Sequence, residues 1–151
     1  MAYGNVYVAQ IALGAHPRQT LKAMEEAESY HGPSLILAYS QCIAHGIEMT
    51  TGMSHQKEAV NSGYWPLYRY DPRVGHDGGK PFHLDCKQPT ISFRQFAEKE
   101  ARFAMLMRSN PQRAEQLLDA AQKDIHDRWH YYEQIANVER SLTEPLLELH
   151  T

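Results

Sequence analysis

A short apolar run at residues 35–39 limits the folds open to this chain more than any other stretch. The run follows the turn-forming pair Gly32 and Pro33 and contains almost no polar residue. A run of this length that begins at a turn is typical of a strand buried on both faces, as in parallel sheets. We therefore predict a buried strand here.

The preceding residues predict a strand and a helix. Residues 6–13 are mostly β-branched, aromatic or aliphatic, which favours a strand. Pro17 suits the first position of a helix, and apolar residues at three-residue spacing continue that helix to about Tyr30. Strand, helix and strand within 45 residues form a βαβ unit, whose two strands are expected to be parallel.

The middle of the chain predicts further short elements. A helix is expected from Ser54 or His55 to Val60, and an aromatic strand over residues 65–70. Residues 74–80 contain three glycines and predict a loop. Residues 81–85 predict a short edge strand, where a proline is tolerated.

The composition then changes to helix-forming residues. Ser92 and Gln95 have the spacing of a capping box and predict a single helix through about Met107. Asn110 and Pro111 pair an N-cap residue with a proline at the first helical position, so a second, long helix is expected there. The whole chain is predicted to be α/β, with a helical C-terminal region.

Composition excludes several classes of protein. The chain has 151 residues, a formal charge of −3 and a pI near 6.3, so no basic nucleic-acid-binding surface is indicated. No apolar run approaches the ~20 residues of a membrane span, and no secretory signal opens the chain. We expect a cytoplasmic setting with both cysteines reduced.

Polar residues follow the apolar run at the point where a parallel strand would end. Cys42 stands there after Ser40 and Gln41, and ligands gather at the carboxyl ends of strands in open α/β sheets. Cys42 is therefore a candidate ligand of a metal or cluster. The alternative is a buried cysteine that packs as a small apolar side chain, which is also our interpretation of Cys86. Two cysteines cannot supply the four thiolates of an iron–sulfur cluster.

Two other groups of residues have a functional and a structural interpretation. His126 and His130 lie four residues apart on the predicted long helix and could bind zinc together, or they could simply lie on a solvated helix face. Arg69, Asp71 and Arg73 could contact a ligand at a strand end, but structural ion pairs are the commoner arrangement.

Three ordered blocks of sequence resemble one protein family. Residues 2–9 read AYGNVYVA, residues 32–42 read GPSLILAYSQC, and residues 63–73 read GYWPLYRYDPR. In order and spacing they resemble the pyruvate:ferredoxin (or flavodoxin) oxidoreductases, in the C-terminal part of the thiamine-diphosphate-binding domain. The resemblance runs from residue 2 to about residue 135.

The resemblance implies a fold and a division of the chain. The fold is a fragment of a doubly wound, mainly parallel sheet followed by a helical C-terminal region. Residues 1–91 are expected to form the βαβ-type part of the thiamine-diphosphate-binding domain, residues 92–136 a helical cover of the same domain, and residues 137–151 a tail.

The resemblance also implies an activity and a site. The whole enzyme oxidatively decarboxylates pyruvate to acetyl-CoA with thiamine diphosphate, Mg²⁺ and 4Fe-4S clusters, acts as a dimer, and passes electrons to ferredoxin or flavodoxin. Cys42 matches a ligand of the cluster nearest the thiamine cofactor. The other ligands of that cluster and the residues that bind magnesium diphosphate have no counterpart in this chain. We therefore expect the isolated chain to retain none of these cofactors and to be inactive.

Two further interpretations stay open. The chain could be a non-catalytic fragment that acts only by associating with other subunits through its unpaired sheet edge. It could also be a small metal-binding protein that uses His126 and His130.

Overall fold

The first three elements form a parallel βαβ unit. The computed structural model describes residues 4–41, 48–76 and 78–139. Strand β1 (Tyr7–Ile11) leads into helix α1 (Pro17–Ser29), and strand β2 (Ser34–Ala38) follows. The two strands pair in parallel, with Ala9 opposite Ile36. The predicted unit is therefore confirmed.

Helix α1 begins where the sequence predicts. Pro17 occupies its first turn, and Nδ1 of His16 accepts a hydrogen bond from the Gln19 amide at 3.1 Å. This side chain satisfies one of the amide groups that a helix start leaves without a partner. The helix ends before Tyr30, whose backbone is extended.

The next elements complete a mixed sheet. A 3₁₀ turn (Met49–Thr51) precedes helix α2 (Gly52–Asn61), which is followed by strand β3 (Tyr68–Tyr70), helix α3 (Pro72–His76) and strand β4 (Phe82–Leu84). The sheet order is β2-β1-β3-β4.

Of the three strand pairs within the described residues, one is parallel, since β1 with β3 and β3 with β4 are antiparallel. The α/β class is confirmed, but the described sheet is mixed rather than mainly parallel. The reason is the short link between α2 and β3. Tyr68 pairs with Gln10, near the end of β1, so β3 starts at that edge and must run back along β1.

The predicted loop over residues 74–80 is partly wrong, because it overlaps α3. Pro72 stands at the start of this short helix, where its fixed backbone angle suits the first turn. The edge strand predicted over residues 81–85 is confirmed as β4.

The C-terminal region is helical, as predicted. It consists of α4 (Phe93–Ala97), α5 (Ala101–Ser109) and α6 (Pro111–Ala136). The capping box of Ser92 and Gln95 is present, and the Asn110 side chain accepts from the Arg113 amide at the start of α6. The single helix predicted through Met107 is wrong, because the extended backbone of Glu100 separates α4 from α5.

Helices cover both faces of the sheet at β1. Tyr7, Ala9 and Ile11 point to one face and pack with Ala23 of α1. Val8 points to the other face, in a cluster that includes Phe82 and, from α6, Tyr132 and Ile135. This alternation is the period of two that a strand between two layers shows.

Strand β2 is the exception to this coverage. Leu35 is 51% exposed and Leu37 is 37% exposed. The prediction of a strand buried on both faces is therefore wrong for the described chain. The cause is its position, because β2 lies at the edge of the described sheet and, among the described strands, pairs with β1 alone.

A third cluster joins the two predicted parts of the chain. Ala59 of α2 packs with Phe96 of α4 and with Leu118 and Ile125 of α6. Residues on either side of position 92 thus share one core, while the predicted domain boundaries stay a prediction. Of the tail predicted over residues 137–151, only residues 137–139 are described. Among the described helices, none is long and apolar enough to span a lipid bilayer.

Candidate functional site

The candidate site lies at the carboxyl ends of β1 and β2. Because the strands are parallel, both ends are at the same edge of the sheet. Cys42, the predicted metal ligand, follows the end of β2 by four positions and lies outside the described residues. The residues that precede it are described as far as Gln41.

Tyr39 is the best-anchored of these residues. Its amide donates to the Ile11 carbonyl at 3.0 Å, which extends the ladder between β1 and β2 by one step. The Trp65 indole N–H donates to the same carbonyl at 3.0 Å, and the Trp65 ring meets the Tyr39 ring edge-on at 5.4 Å. The chain is therefore held on two sides immediately before it reaches Gln41.

Gln56 of α2 connects the two strand ends. Its Oε1 accepts from the Gly14 amide at 2.8 Å, just after β1. Its Nε2 donates to the Tyr39 carbonyl and to Oε1 of Gln41, both at 3.4 Å. The first of these bonds has ordinary length and the other two are long, so the Gly14 contact contributes most.

Two glycines allow α2 to approach this edge closely. A Cβ on Gly14 would lie 2.4 Å from the Met53 carbonyl oxygen, and a Cβ on Gly52 would lie 1.9 Å from Nε2 of Gln41. The first neighbour is backbone and cannot move aside on its own, so any larger residue at position 14 would push α2 away from the strand ends.

A buried pair of polar side chains contacts the hydroxyl of Tyr39. Nε2 of His55 and Oε1 of Glu100 form a hydrogen bond of 2.7 Å, and the Tyr39 hydroxyl donates to the same oxygen at 3.4 Å. The His55 ring also stacks on Phe96 at 5.0 Å. Burial, reinforced by the nearby Glu100 carboxylate, raises the pKa of Tyr39, so its hydroxyl stays a neutral donor. The sequence contains no local signal of this contact.

The arginines near β3 form ion pairs, as the structural interpretation expected. Arg69 binds both Glu26 and Asp85, with Nε of Arg69 2.6 Å from Oδ2 of Asp85. Burial alone would lower the pKa of Arg69, but its hydrogen bonds with Asp85 and Glu26 outweigh burial and raise it. Arg73 pairs with Asp71 at 2.7 Å. Sequence reasoning missed Glu26 and Asp85, because neither is close to Arg69 in the chain.

Cys86 follows β4 and is half-buried, with a free thiol. Its sulfur accepts a hydrogen bond from the Leu67 amide at 3.2 Å. Burial raises the pKa of this thiol to about 11, which keeps it protonated at neutral pH. These contacts favour the interpretation of Cys86 as a packing residue.

The two histidines of α6 lie on its solvent face. His126 and His130 are both exposed, and Nδ1 of His130 is 3.2 Å from Glu133. Across residues 4–41, 48–76 and 78–139, no three His, Cys, Asp or Glu side chains come together in a way that could hold a metal ion. The described part of the chain thus gives this pair no third ligand.

Comparison with known proteins identifies relatives of the chain. It is 54% identical over 137 residues to a pyruvate-flavodoxin oxidoreductase of a Nostoc species. It is 50% identical over 136 residues to the pyruvate:ferredoxin oxidoreductase of Moorella thermoacetica, and 44% identical over 141 residues to a pyruvate-flavodoxin oxidoreductase of Klebsiella pneumoniae. These matches cover 90–92% of the chain.

The matches cover most of this chain but only a small part of each relative. The chain spans only 11–12% of these relatives. No model of a protein family matches it. The resemblance seen in the three sequence blocks is nonetheless confirmed over nearly the whole chain, which matches a fragment of the pyruvate-flavodoxin and pyruvate:ferredoxin oxidoreductases.

Proposed function

We propose that this chain functions as a segment of a pyruvate oxidoreductase of the flavodoxin- or ferredoxin-dependent type. The observation that carries the proposal is the 54% identity to the Nostoc enzyme over 91% of the chain. The reaction of the whole enzyme is the oxidative decarboxylation of pyruvate to acetyl-CoA, with electrons leaving to flavodoxin or ferredoxin. Its other partners are the remainder of the parent enzyme and a second subunit, in the cytoplasm.

Within that enzyme, the segment contributes structure and one cluster ligand. The parallel pair β1 and β2 with its helical crossover supports a place in the C-terminal part of the thiamine-diphosphate-binding domain. Cys42, four positions beyond β2, supplies a thiolate to the 4Fe-4S cluster nearest the thiamine cofactor. Tyr39 and Gln56 hold the chain that leads to this thiolate.

The residues of the chain do not fit a complete cofactor site. A 4Fe-4S cluster needs four thiolates, and the chain has two cysteines, of which Cys86 is half-buried and bonded to the Leu67 amide. The remaining ligands, and the residues for thiamine diphosphate and Mg²⁺, belong to other parts of the parent enzyme. We therefore propose that the isolated chain is inactive.

The alternative of a non-catalytic fragment that acts by subunit association has one supporting observation. Leu35 and Leu37 of the edge strand β2 are exposed, and an apolar sheet edge favours pairing with another chain. The two proposals differ in what covers β2, because the parent enzyme would do so in the first and a separate subunit in the second.

The test is a chimaera of the Moorella enzyme in which this segment replaces its 50%-identical counterpart. We expect the chimaera to reduce a viologen dye with pyruvate, and its Cys42→Ala variant to lose one 4Fe-4S cluster by iron analysis and electron paramagnetic resonance. Thiamine diphosphate binding should be retained. The matched Cys86→Ala variant should keep every cluster. An unchanged cluster count in Cys42→Ala would show that Cys42 is only a packing residue.

A further inference from the structure

A cleft opens at the edge of the sheet where β1 and β4 end. It consists of two adjoining cavities of about 180 and 360 Å³, which share His16 and Asp85 as lining residues. The larger cavity alone falls within the size range of small-molecule sites.

The topology of the sheet favours a ligand at this position. β1 has β2 on one side, reached through α1, and β3 on the other side. β1 and β4 run in the same direction, since each is antiparallel to β3, so their carboxyl ends lie at the same edge, where ligands bind in open α/β sheets. His16 follows β1, and Asp85 follows β4.

Five cationic side chains line the cleft. Arg69 is held by its ion pairs with Glu26 and Asp85, and the other four come from three parts of the fold. Arg18 and Lys22 come from α1, Lys57 from α2, and Lys87 from the segment after β4. Arg18, Lys57 and Lys87 have no ion-pair partner within the described residues, and Lys22 has a single long contact of 3.8 Å to Glu26. This concentration of positive charge is notable in a chain whose formal charge is −3.

The acidic groups of the cleft are already neutralised. Asp85 is its one carboxylate, and both oxygens of Asp85 accept hydrogen bonds from Arg69, at 2.6 and 2.9 Å. Burial keeps the Cys86 thiol protonated, since its pKa is raised to about 11. The charge offered to a ligand is therefore positive.

His16 lines both cavities and provides a donor. Its Nδ1 accepts from the Gln19 amide at 3.1 Å, so a neutral ring carries its proton on Nε2. Gln19 lies in the wall of the cleft, only 5% exposed, and its Oε1 has no hydrogen-bond partner among the described residues. This oxygen is an acceptor, so it suits a donor group elsewhere on a ligand rather than the anion itself.

We propose that this cleft binds a small molecule through a phosphate or pyrophosphate group. Such groups carry several negative charges in a small volume, which matches four cations and a donor converging from separate elements. The start of α1 adds the favourable potential of a helix N-terminus, although the cap formed by His16 already uses the Gln19 amide. The proposal does not depend on the activity of the parent enzyme.

The test is a titration of the 151-residue chain with sodium pyrophosphate at constant ionic strength. Two-dimensional amide NMR should show saturable shifts at Gly14, Arg18 and Lys87 but not at Lys123 on α6, with a dissociation constant below about 1 mM. Shifts that rise linearly without saturation, or that appear equally on α6, would overturn the proposal.

Lysine variants test which positive charges contribute to pyrophosphate binding. Lys57→Gln combined with Lys87→Gln should weaken pyrophosphate binding about tenfold, because two exposed cations of the cleft are lost. Lys123→Gln removes an equally exposed lysine and should change binding less than about twofold. Equal weakening by both changes would mean that only the overall charge of the chain attracts the anion.

A third variant tests the donor separately from the fold. His16→Asn keeps an oxygen that can accept from the Gln19 amide and removes the Nε2 donor, so helix α1 should persist while binding weakens about threefold. Citrate serves as the comparison anion. Citrate binding as tight as that of pyrophosphate would contradict a preference for phosphate.

Discussion

His55 and Glu100 form a buried hydrogen bond of 2.7 Å although 45 residues separate them in the chain. Their side chains are 7% and 4% exposed. The contact joins α2 to Glu100, the extended residue before α5. The Tyr39 hydroxyl donates to the same carboxylate. The start of α5 and a contact of the Tyr39 hydroxyl thus depend on one pair.

We expect Glu100→Ala to lower the free energy of unfolding by about 1–3 kcal/mol, because it leaves a buried ring nitrogen of His55 without its hydrogen-bond partner. Glu100→Gln keeps an acceptor for His55 and should cost less. Urea unfolding followed by circular dichroism measures both. Glu98→Ala removes an exposed carboxylate two residues away and should cost less than about 0.5 kcal/mol. Similar losses at positions 98 and 100 would contradict the importance of the buried pair.

Asp71 should make the stability of the chain depend on acidic pH. Burial raises the pKa of Asp71, but its hydrogen bonds with Arg73 outweigh burial and hold the pKa below its usual 3.8. A carboxylate whose pKa is lower in the folded state stabilises the fold above its unfolded pKa, and this stability is lost as the pH falls through the folded value.

Asp71→Asn should therefore be less stable than the wild type at pH 7, and the difference should shrink below about pH 4. Urea unfolding at several values between about pH 2.5 and pH 7 measures this difference, because that range includes the titration of a carboxyl group. If the difference in the free energy of unfolding stays constant with pH, the charge of Asp71 does not contribute to stability.

Cys86 should react slowly with alkylating reagents. The thiolate is the reactive form, and burial raises the pKa of the Cys86 thiol from 9.0 to about 11. In the Cys42→Ala variant at pH 8, we expect iodoacetamide to label the folded chain about 100-fold more slowly than the urea-unfolded chain. The rate should rise towards pH 11. Equal rates in both states would mean that the thiol is neither buried nor shifted.

The exposed leucines of β2 should cause self-association of the isolated chain. Odd-numbered residues of β2 and its flanks bond to β1, so Ser34, Ile36 and Ala38 direct their backbone groups away from the sheet. Multi-angle light scattering should show oligomers at high concentration, and the double variant Leu35→Lys/Leu37→Lys should be monomeric, because charges on an edge strand oppose pairing.

Leu21→Lys is the matched control, since Leu21 is 61% exposed but lies on α1. It should leave the association unchanged. A wild-type chain that is already monomeric at high concentration would contradict the prediction.

Local sequence signals predicted the elements well. Pro17 and the Asn110–Pro111 pair lie at the starts of α1 and α6, and the capping box of Ser92 and Gln95 starts α4. These features depend on neighbours within a few residues, so the sequence alone contains the necessary information.

Features that depend on distant parts of the chain were predicted less well. Leu35 and Leu37 are exposed because burial of a strand depends on what lies beside it, and the described chain places nothing beyond β2. The break at Glu100 depends on His55, a contact between different elements. Cys42 was a candidate from its position after the strand, and the resemblance implied its cluster role. That role stays a prediction because Cys42 lies outside the described residues.

Helix α6 has a consequence for how the molecule unfolds. Its 26 residues extend about 39 Å. Leu118 and Ile125 lie in the cluster with Phe96, whereas Tyr132 packs in the cluster with Phe82 on the sheet. If either cluster lost its packing, half of α6 would lose the side chains that it packs against. Amides in both clusters should therefore exchange with deuterium through one shared opening, and the two halves of the molecule should behave as a single cooperative unit.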